Sequence, residues 1–436
     1  NGEEIRINGL TKTKPYVLER EMAVKVGDVF SRSAFIQSQQ NMYNTSLLKN
    51  ISAALYPGKT EDGVICEFNV EEGNQMELQF GATFGATEIN GFPVSGFLSL
   101  TNNNLGGTGR ALSISTELSP SKQSMSVSLS DKWTGNKRWA NGISLSFERS
   151  VRTGVLQKGI GSDFYDGRDS LKETYPLGYS NAFEWYYTNS MKYPGNAYLM
   201  NYDYYSFNLG YNTGYTWVFA PGSLSVSGGA SVGLNHAEYD NTKYTPYEKL
   251  ISQDNDGWQL SNKIYGSLTW DGRNYVSAIP YGYVLSASLT YAGGALGGLS
   301  NYNKISLSGS VYRSVFQFGG NDGEKKKNII LGLSSEVDFM LPQYWLYGDR
   351  TGWQDPKMGA TKYEMLYIDG MNIGRGFSVV YDQAFLWNNQ IDLTYPLAED
   401  VLSVEAFASA TGVHSDLASL NGLSSINWYM AGGVGL

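Results

Sequence analysis

The feature that most constrains the fold is an alternation of apolar and polar residues that continues from about residue 76 to the end of the chain. In one run, for example, Met125, Val127 and Leu129 alternate with serines. A period of two is typical of β-strands, because successive side chains point to opposite faces of a sheet. Each run is about ten residues long, which matches a tilted strand that crosses a bilayer and exceeds the usual strand of a soluble sheet.

Two architectures use strands of this kind, and they point the apolar face in opposite directions. A soluble sandwich buries that face, but a single core that grows over about 360 residues would be unusual. A membrane barrel points it at lipid, alternates short and long turns, and carries aromatic residues at both interfaces. The candidate interface residues are Trp133, Trp139, Trp217, Trp270 and Tyr281. We therefore predict an all-β antiparallel transmembrane barrel over residues 76–436, with about 14 strands.

Residues 1–75 follow a different pattern, which predicts a small α+β domain in the order strand, helix, helix, strand, strand. The first helix begins near Pro15 and ends near Gly27, and the second follows Ser31 or Ser33. The predicted buried positions are Leu18, Met22 and Val26 in the first helix and Ile36, Tyr43 and Leu47 on the second. Such a domain exposes a sheet edge to which another extended chain can add. An ordinary α+β domain without that role fits the pattern as well.

Composition and motifs argue against several classes of function. No window approaches the roughly 18 consecutive apolar residues of a spanning helix, which excludes a helical membrane protein. The net charge of −9, with Lys325–Lys327 as the one basic cluster, argues against nucleic acid as a partner. No phosphate-binding loop and no zinc-type Cys/His spacing appears, so we predict neither cofactor nor metal. Gly229–Gly233 resembles a hydrolase elbow, but Ser231 lies inside an alternating strand, and we predict no catalytic residues.

A long irregular segment, from about Leu341 to Ile373, separates two strands and leads into Gly374-Arg375-Gly376-Phe377. Irregular segments of that length are usually functional or disordered, and the many Tyr, Trp, Met and Gly residues here favour packing. An arginine between two glycines can approach a carboxylate closely and bind it with a planar fork of donors. Taken alone, the four residues fit a solvated turn arginine better, so their interpretation depends on the rest of the chain.

Four stretches carry a more specific signal: residues 42–51, residues 104–109, residues 270–274 with Pro280 and Gly282, and residues 374–377. Together they resemble the BamA-type outer-membrane assembly factors, in which periplasmic POTRA domains precede a barrel. In order, they look like the second POTRA helix, the first periplasmic turn, a turn before a mid-barrel strand, and the Arg-Gly-Phe signature of a loop folded into the lumen. Ser46 and Leu48 depart from the family's usual Gly and Phe. The resemblance implies a POTRA domain at 1–75 and 16 barrel strands, two more than we count.

The same resemblance implies the functional residues. In that family the signature arginine holds the lumen loop against acidic groups on nearby strands. It therefore implies that Gly374, Arg375, Gly376 and Phe377 form the functional motif, with Asp392 as the partner of Arg375. A solvated Asp392 is the alternative. A second acidic partner is expected on the next strand, where this chain has Ser409.

The mechanism that follows is a hypothesis. The first barrel strand, from Met76 to Thr87, contains Gly81 and Gly85, and interior glycines weaken a strand. A weak seam between the first and last strands could then open and offer its edge to a client strand.

The resemblance also implies partners and location. The expected partners are client β-barrel proteins, the lipid bilayer and periplasmic accessory or chaperone proteins. The expected location is the bacterial outer membrane, with the POTRA domain in the periplasm and long loops at the cell surface. The alternatives are a two-partner-secretion transporter, a passive porin and a soluble β-rich binding protein.

Overall fold

A computed structural model describes residues 2–60, 63–84, 94–157, 199–219, 221–246, 257–275, 280–318, 327–343, 359–361, 363–370, 372–398 and 402–435. Gly85, Lys325, Lys326 and much of the predicted long loops lie outside these residues. Among the described residues, no helix is both long enough and apolar enough to span a membrane.

The amino-terminal domain has the predicted order of elements. They are β1 (Gly2–Asn8), α1 (Pro15–Glu19), α2 (Arg32–Tyr43), β2 (Leu48–Pro57) and β3 (Val64–Glu72). In the sheet, β3 lies between β1, to which it is parallel, and β2, to which it is antiparallel. The helices cover one face, where Leu18, Met42 and Phe68 are completely buried. Strand β2 lies at one edge of this sheet, and its pairing with another chain stays a prediction.

The first helix is much shorter than the sequence predicted. It ends at Glu19, and Val26, which was expected on the buried face, is 62% exposed. The reason is a competing set of hydrogen bonds from α2. The hydroxyl oxygen of Ser38 accepts from the backbone amides of Ala23 at 2.9 Å and of Val24 at 3.1 Å, which satisfies donors that a longer helix would use internally.

The buried face of α2 is also different from the prediction. Ile36 and Tyr43 are exposed, whereas Phe35 and Met42 face the core, because the ring of Phe35 packs against that of Phe68 with 5.1 Å between centroids. Just after the helix, Ser46 has a φ of 63°, in the left-handed region that favours glycine. The helix end therefore has the backbone geometry for which a glycine at position 46 would be the ordinary choice.

The other strands belong to a large antiparallel sheet and to the loops attached to it. In chain order they are β4 (Met76–Phe84), β5 (Val94–Asn102), β6 (Ala111–Leu118), β7 (Lys122–Asp131), β8 (Trp139–Gln157), β9 (Leu199–Phe219), β10 (Gly222–Glu238), β11 (Tyr244–Pro246), β12 (Gln259–Asp271), β13 (Asn274–Tyr275), β14 (Pro280–Ala292), β15 (Tyr302–Phe318), β16 (Lys327–Pro342), β17 (Leu366–Ile368), β18 (Val380–Gln383), β19 (Phe385–Ala398), β20 (Leu402–His414) and β21 (Asn427–Gly435). Among the described residues, 14 strands follow one another in the sheet as they do in the chain, with β4 and β21 at the two ends of that order.

One face of this sheet carries exposed apolar side chains. Opposite residues of neighbouring strands share a face, so Leu268, Ala287 and Leu307 form one row, and Leu333 and Ile391 belong to another. The leucines and isoleucine of these rows are 45–50% exposed. A soluble sandwich would bury such rows, whereas a sheet that faces lipid leaves them on its surface.

Packing divides the chain into two compact units. One comprises Asn1–Ala82, Gly96–Leu118 and Met125–Leu145, and the other comprises Thr83–Ser95, Ser119–Ser124 and Ser146–Leu436. The first unit therefore joins the amino-terminal domain to the beginnings of the large sheet. The second contains the segment with the Arg-Gly-Phe motif.

Candidate functional site

The segment between β16 and β19, which we call the signature loop, ends in a small hairpin. Its strands β17 and β18 pair in antiparallel fashion, with Leu366 opposite Gln383 and Ile368 opposite Val380. Residues 369–379 connect them, and we call residues 369–377 the tip turn. Hydrogen bonds within the turn close it: Asn372 N–H and Ile373 N–H each donate to Asp369 Oδ1 at 2.8 Å, Gly370 N–H donates to Ile373 O at 3.0 Å, Gly376 N–H donates to Gly370 O at 2.9 Å, and Phe377 N–H donates to Gly374 O at 3.1 Å.

The two glycines beside Arg375 are needed for different reasons. Gly374 has a φ of 65°, and a Cβ there would lie 2.5 Å from Cγ2 of Ile368, so both the backbone and the space require glycine. Gly376 has a φ of 82° in open space, so only its backbone does. The sequence predicted that small neighbours would let the arginine approach its partner, and the tip turn shows how they also shape the backbone that presents it.

Arg375 pairs with a carboxylate on β20. Its Nη1 lies 3.2 Å from Oε1 of Glu405, and its guanidinium carbon lies 4.5 Å from the centroid of the Phe407 ring. The two charged side chains are 30% and 36% exposed. A guanidinium that bonds a carboxylate and stacks on an aromatic ring is fixed in direction as well as in distance.

The structure gives the ion pair to Glu405 and not to Asp392, the partner that the sequence predicted. On β19, Asp392 lies opposite Phe407, and its Oδ1 accepts a hydrogen bond of 2.6 Å from Nε2 of Gln390. The acidic residue of β20 is therefore Glu405. It lies four residues before Ser409, the position at which the family resemblance predicts an acid. Because four is an even number, both positions lie on the same face of the strand, and the alternation around Glu405 could have indicated it.

The motif also contacts the last strand of the sheet order. The ring of Phe377 meets that of Tyr429 on β21 edge-on, with 5.1 Å between centroids. Behind Arg375, the ring of Phe407 covers Gly433, where a Cβ would lie 2.8 Å from the ring atom Cε1. The arginine and the phenylalanine of the signature therefore reach two neighbouring strands, β20 and β21.

An apolar cluster fixes the base of the hairpin. Met365, Leu366 and Ile368 of the loop are buried against residues of the flanking strands. Those residues are Met340, Leu386 and Val413 on strands, together with Ala384 between β18 and β19. Burial of this size stabilises the loop by several kcal/mol, since a buried Leu or Ile side chain contributes about 1.5–3 kcal/mol.

A second group of contacts lies in the other unit, where two turns of the large sheet meet the amino-terminal domain. We call residues 104–109 and 131–139 the docking turns. In the first, Asn104 Nδ2 donates to Thr13 Oγ1 at 2.8 Å, and Gly107 O accepts from Lys14 N–H at 2.9 Å. Gly107 has a φ of 74°, and a Cβ there would lie 2.1 Å from the carbonyl oxygen of Lys12. Only glycine fits this position.

The second docking turn corrects one sequence prediction. Trp133, expected at a membrane interface, is 9% exposed and donates from Nε1 to Glu21 Oε1 at 2.6 Å. Arg138 bonds the other oxygen of that carboxylate at 2.9 Å, and Arg20 lies 5.5 Å from the indole ring. Trp139, Trp217 and Tyr281 stay exposed at 43–45%, as interface residues would. A tryptophan with both a ring face and an N–H donor suits a polar contact equally well.

Glu72 fastens the backbone of the linker between β1 and α1. Its carboxylate accepts from the amides of Lys12 at 2.9 Å and Thr13 at 2.6 Å, and from the hydroxyl of Thr11. Burial alone would raise the pKa of Glu72, but the hydrogen bonds from Thr11, Thr13 and Lys12 lower it from 4.5 to about 2. The linker that meets Gly107 is therefore held from both sides.

Of the two glycines predicted to weaken the first barrel strand, one is described. Gly81 lies on β4, and a Cβ there would lie 2.7 Å from Cε1 of Phe97 on β5. The glycine thus accommodates a neighbouring ring, which offsets part of the loss of its own side chain. Gly85 lies outside the described residues, and the weak seam stays a prediction.

Comparison with known proteins identifies the class. Residues 104–379 match the family described as the Omp85 superfamily domain, and residues 3–73 match a POTRA family described as a surface antigen variable number repeat. The fold is therefore an α+β POTRA domain followed by an antiparallel membrane β-barrel sheet. The chain belongs to the Omp85 superfamily of bacterial outer-membrane proteins.

Individual relatives agree with that class. The chain is 26% identical over 424 residues to a Treponema pallidum (strain Nichols) protein described as "Putative outer membrane protein assembly factor", covering 95% of this chain and 47% of that protein. It thus spans about half the length of the curated relative.

Solved structures share the fold at low identity. BamA from Haemophilus ducreyi lacking POTRA domains 1–3 has a TM-score of 0.60 at 14% identity, covering 99% of this chain and 77% of that one. CdiB from Acinetobacter baumannii has a TM-score of 0.58 at 11% identity, covering 99% and 67%.

Proposed function

We propose that this protein folds and inserts client β-barrel proteins into the outer membrane. In this proposal the signature loop occupies the lumen, Arg375 locks it against Glu405, and a weak seam between the first and last barrel strands opens to receive a client strand. Unpaired strand edges template the pairing of an incoming strand, so the step needs no energy cofactor and no catalytic residue.

The observation that carries the proposal is the presentation of Arg375. A self-closed tip turn, two glycines with left-handed backbone and a matched carboxylate hold one guanidinium in a single direction. A passive porin has no use for such a device. The name of the Treponema pallidum relative favours assembly over the other activities of the superfamily.

The test is insertion of a client barrel into liposomes that contain the purified protein. In Arg375→Ala the ion pair and the ring contact are both lost, and we expect the insertion rate to fall about tenfold, which corresponds to about 1.4 kcal/mol. The variant should keep the heat-dependent gel mobility of a folded barrel. As a control, Arg313→Ala removes an arginine of β15 and should leave the rate unchanged. Equal rates for Arg375→Ala and the unmodified protein would disprove the role of the loop.

A second candidate is a transporter that secretes a partner polypeptide through its pore. The similarity to CdiB, with TM-scores of 0.58 beside 0.60 for BamA, favours keeping it. Conductance across planar bilayers separates the two. A transporter or porin should give ion currents that increase when the signature loop is released, whereas an insertase should accelerate client folding without them.

The POTRA domain is the proposed site for periplasmic partners. A groove of about 580 Å³ runs between α2 and the edge strand β2, lined by Ile36, Gln39, Tyr43, Asn50 and Ile51. An extended segment of a client or accessory protein could pair with β2 and place side chains in this groove. We propose that the domain lies in the periplasm and that the long loops lie at the cell surface.

A further inference from the structure

The signature loop has a second charged contact, far in sequence from the Arg-Gly-Phe motif. Glu364 lies just before β17, and its Oε1 is 3.1 Å from Nζ of Lys263 on β12. The side chains of the pair are 28% (Lys263) and 18% (Glu364) exposed. The lysine also lies over the ring of Tyr302, with 5.6 Å from Nζ to the centroid.

The second carboxylate oxygen is satisfied as fully as the first. Oε2 of Glu364 accepts from the hydroxyl of Ser300 at 2.5 Å, from the amide of Thr361 at 3.1 Å and from the hydroxyl of Thr361 at 3.3 Å. A carboxylate with a cation on one oxygen and three donors on the other has one favoured orientation. Arg375, by comparison, has one hydrogen bond of 3.2 Å to a more exposed carboxylate.

The residues around Glu364 extend the contact to other strands. Tyr363 accepts at its hydroxyl from the amide of Thr153 on β8 at 3.0 Å, and the guanidinium of Arg152 lies 4.6 Å from its ring. Nearby, Asn301 N–H donates to Gly359 O at 2.6 Å. Gly359, Tyr363 and Glu364 therefore meet β8, β12 and the turn between β14 and β15.

We propose that Glu364 is a positioning residue, which fixes the root of the signature loop and thereby determines where Arg375 lies. Eleven positions separate the two residues, and between them lie strand β17, which pairs with β18, and the hydrogen-bonded tip turn. The orientation of the root is therefore transmitted to the guanidinium. Apolar packing of Met365 and Leu366 keeps the loop buried but is not directional, so the register depends on the charged contact.

A spin label on the tip turn tests this directly. In a Cys66→Ala background, Asn372→Cys places the label on an exposed residue of the turn. In Glu364→Gln the cation of Lys263 loses its partner, and we expect the electron paramagnetic resonance spectrum to gain a mobile component. Lys263→Met, which removes the cation from the other side of the contact, should produce the same mobile component, because the contact needs both charges. Glu336→Gln, a change on β16, is the matched control and should change nothing.

The outcomes are separable from those of the proposed function, on which only the insertion readout depends. An unchanged spectrum in Glu364→Gln overturns the positioning role, whatever the insertion rate. An unchanged spectrum in Lys263→Met also overturns it, because the loop would then keep its position without the charged contact. If Glu364→Gln fails to fold, Ser300→Ala removes one hydrogen bond and is judged in the same way. If Glu364→Gln mobilises the tip while the unmodified protein itself inserts no client, the insertase is refuted and the positioning role stands.

Discussion

The first docking turn and the signature loop hold their partners by different means. At residues 104–109 the contact is made by backbone: Gly107 lies against the carbonyl of Lys12, and the carboxylate of Glu72 bonds successive amides of the same linker. On the signature loop, side-chain charges make the decisive contacts, with Arg375 on Glu405 and Glu364 on Lys263. The first arrangement has no alternative position, whereas the second can be broken and remade one ion pair at a time.

This difference teaches what each region can do. Contacts that depend on a missing Cβ and on amide hydrogen bonds lose both their packing and their hydrogen bonds when the two segments shift by about an ångström. They therefore favour a fixed arrangement. A partly exposed ion pair contributes only about 0.2–1 kcal/mol, which thermal motion overcomes readily. One unit thus contains a fixed backbone contact at residues 104–109, and the other contains the weaker ion pairs of the signature loop.

The largest loss of stability is expected from a substitution at Gly107. Replacing it with Ala places a methyl group against the Lys12 carbonyl and adds the left-handed backbone penalty, so we expect a loss of about 3 kcal/mol in local stability. Trypsin cleavage after Lys12 in the folded protein should then accelerate roughly a hundredfold, since cleavage follows the population of the open state.

Gly106 provides the matched control. Its φ is 61°, but a Cβ there would meet nothing within 4 Å. Gly106→Ala should therefore cost only the backbone penalty of about 1–2 kcal/mol. Equal cleavage rates in the two variants would show that the close approach to Lys12 contributes nothing.

The stability that the carboxylate of Glu72 contributes to the amino-terminal domain depends on pH. Its folded-state pKa of about 2 lies below the ordinary 4.5, so its contribution is complete above pH 4.5 and is lost as the pH falls toward 2. At neutral pH, Glu72→Gln should lower the free energy of unfolding of the domain by about 2 kcal/mol, as for hydrogen bonds to a charged group. Melting curves of the two proteins should converge between pH 4.5 and 2. A constant difference across that range would contradict the assignment.

The smallest effect is expected at the partners of Arg375. Glu405→Gln removes the charge that the guanidinium contacts and should destabilise the locked loop by about 1 kcal/mol, because the pair is partly exposed. Asp392→Asn, on the neighbouring strand, should cost less. The spin label at position 372 measures both. A larger effect from Asp392 would restore the pairing that the sequence suggested.

The sequence predicts what depends on local pattern. The period of two gave the strands and the direction of their apolar face, and the glycines around Arg375 indicated an unusual turn. Prediction from the sequence was wrong where a residue distant in the chain determines the local structure. Ser38 ends α1 early by accepting hydrogen bonds from Ala23 and Val24, and nothing within the α1 segment announces this. Glu21 likewise draws Trp133 away from an interfacial role across more than a hundred residues.

In the candidate site, too, the contacts depend on residues that are distant in sequence. Arg375 could be found from its neighbours, but the choice between Asp392 and Glu405 depends on the register of β19 against β20, with Thr394 opposite Glu405. Register is set by pairing along whole strands and not by any short motif. Lys263 and Glu364 are 101 residues apart, and only the folded sheet brings them together.

The tip turn has a practical consequence for chemistry. Its closing hydrogen bonds join residues within 369–377, so we expect this short sequence to contain the information for the shape that presents Arg375. A short macrocyclic peptide of that sequence should hold the same guanidinium geometry in isolation. Such a mimic would compete for the carboxylate of Glu405 and offers a starting scaffold for an inhibitor.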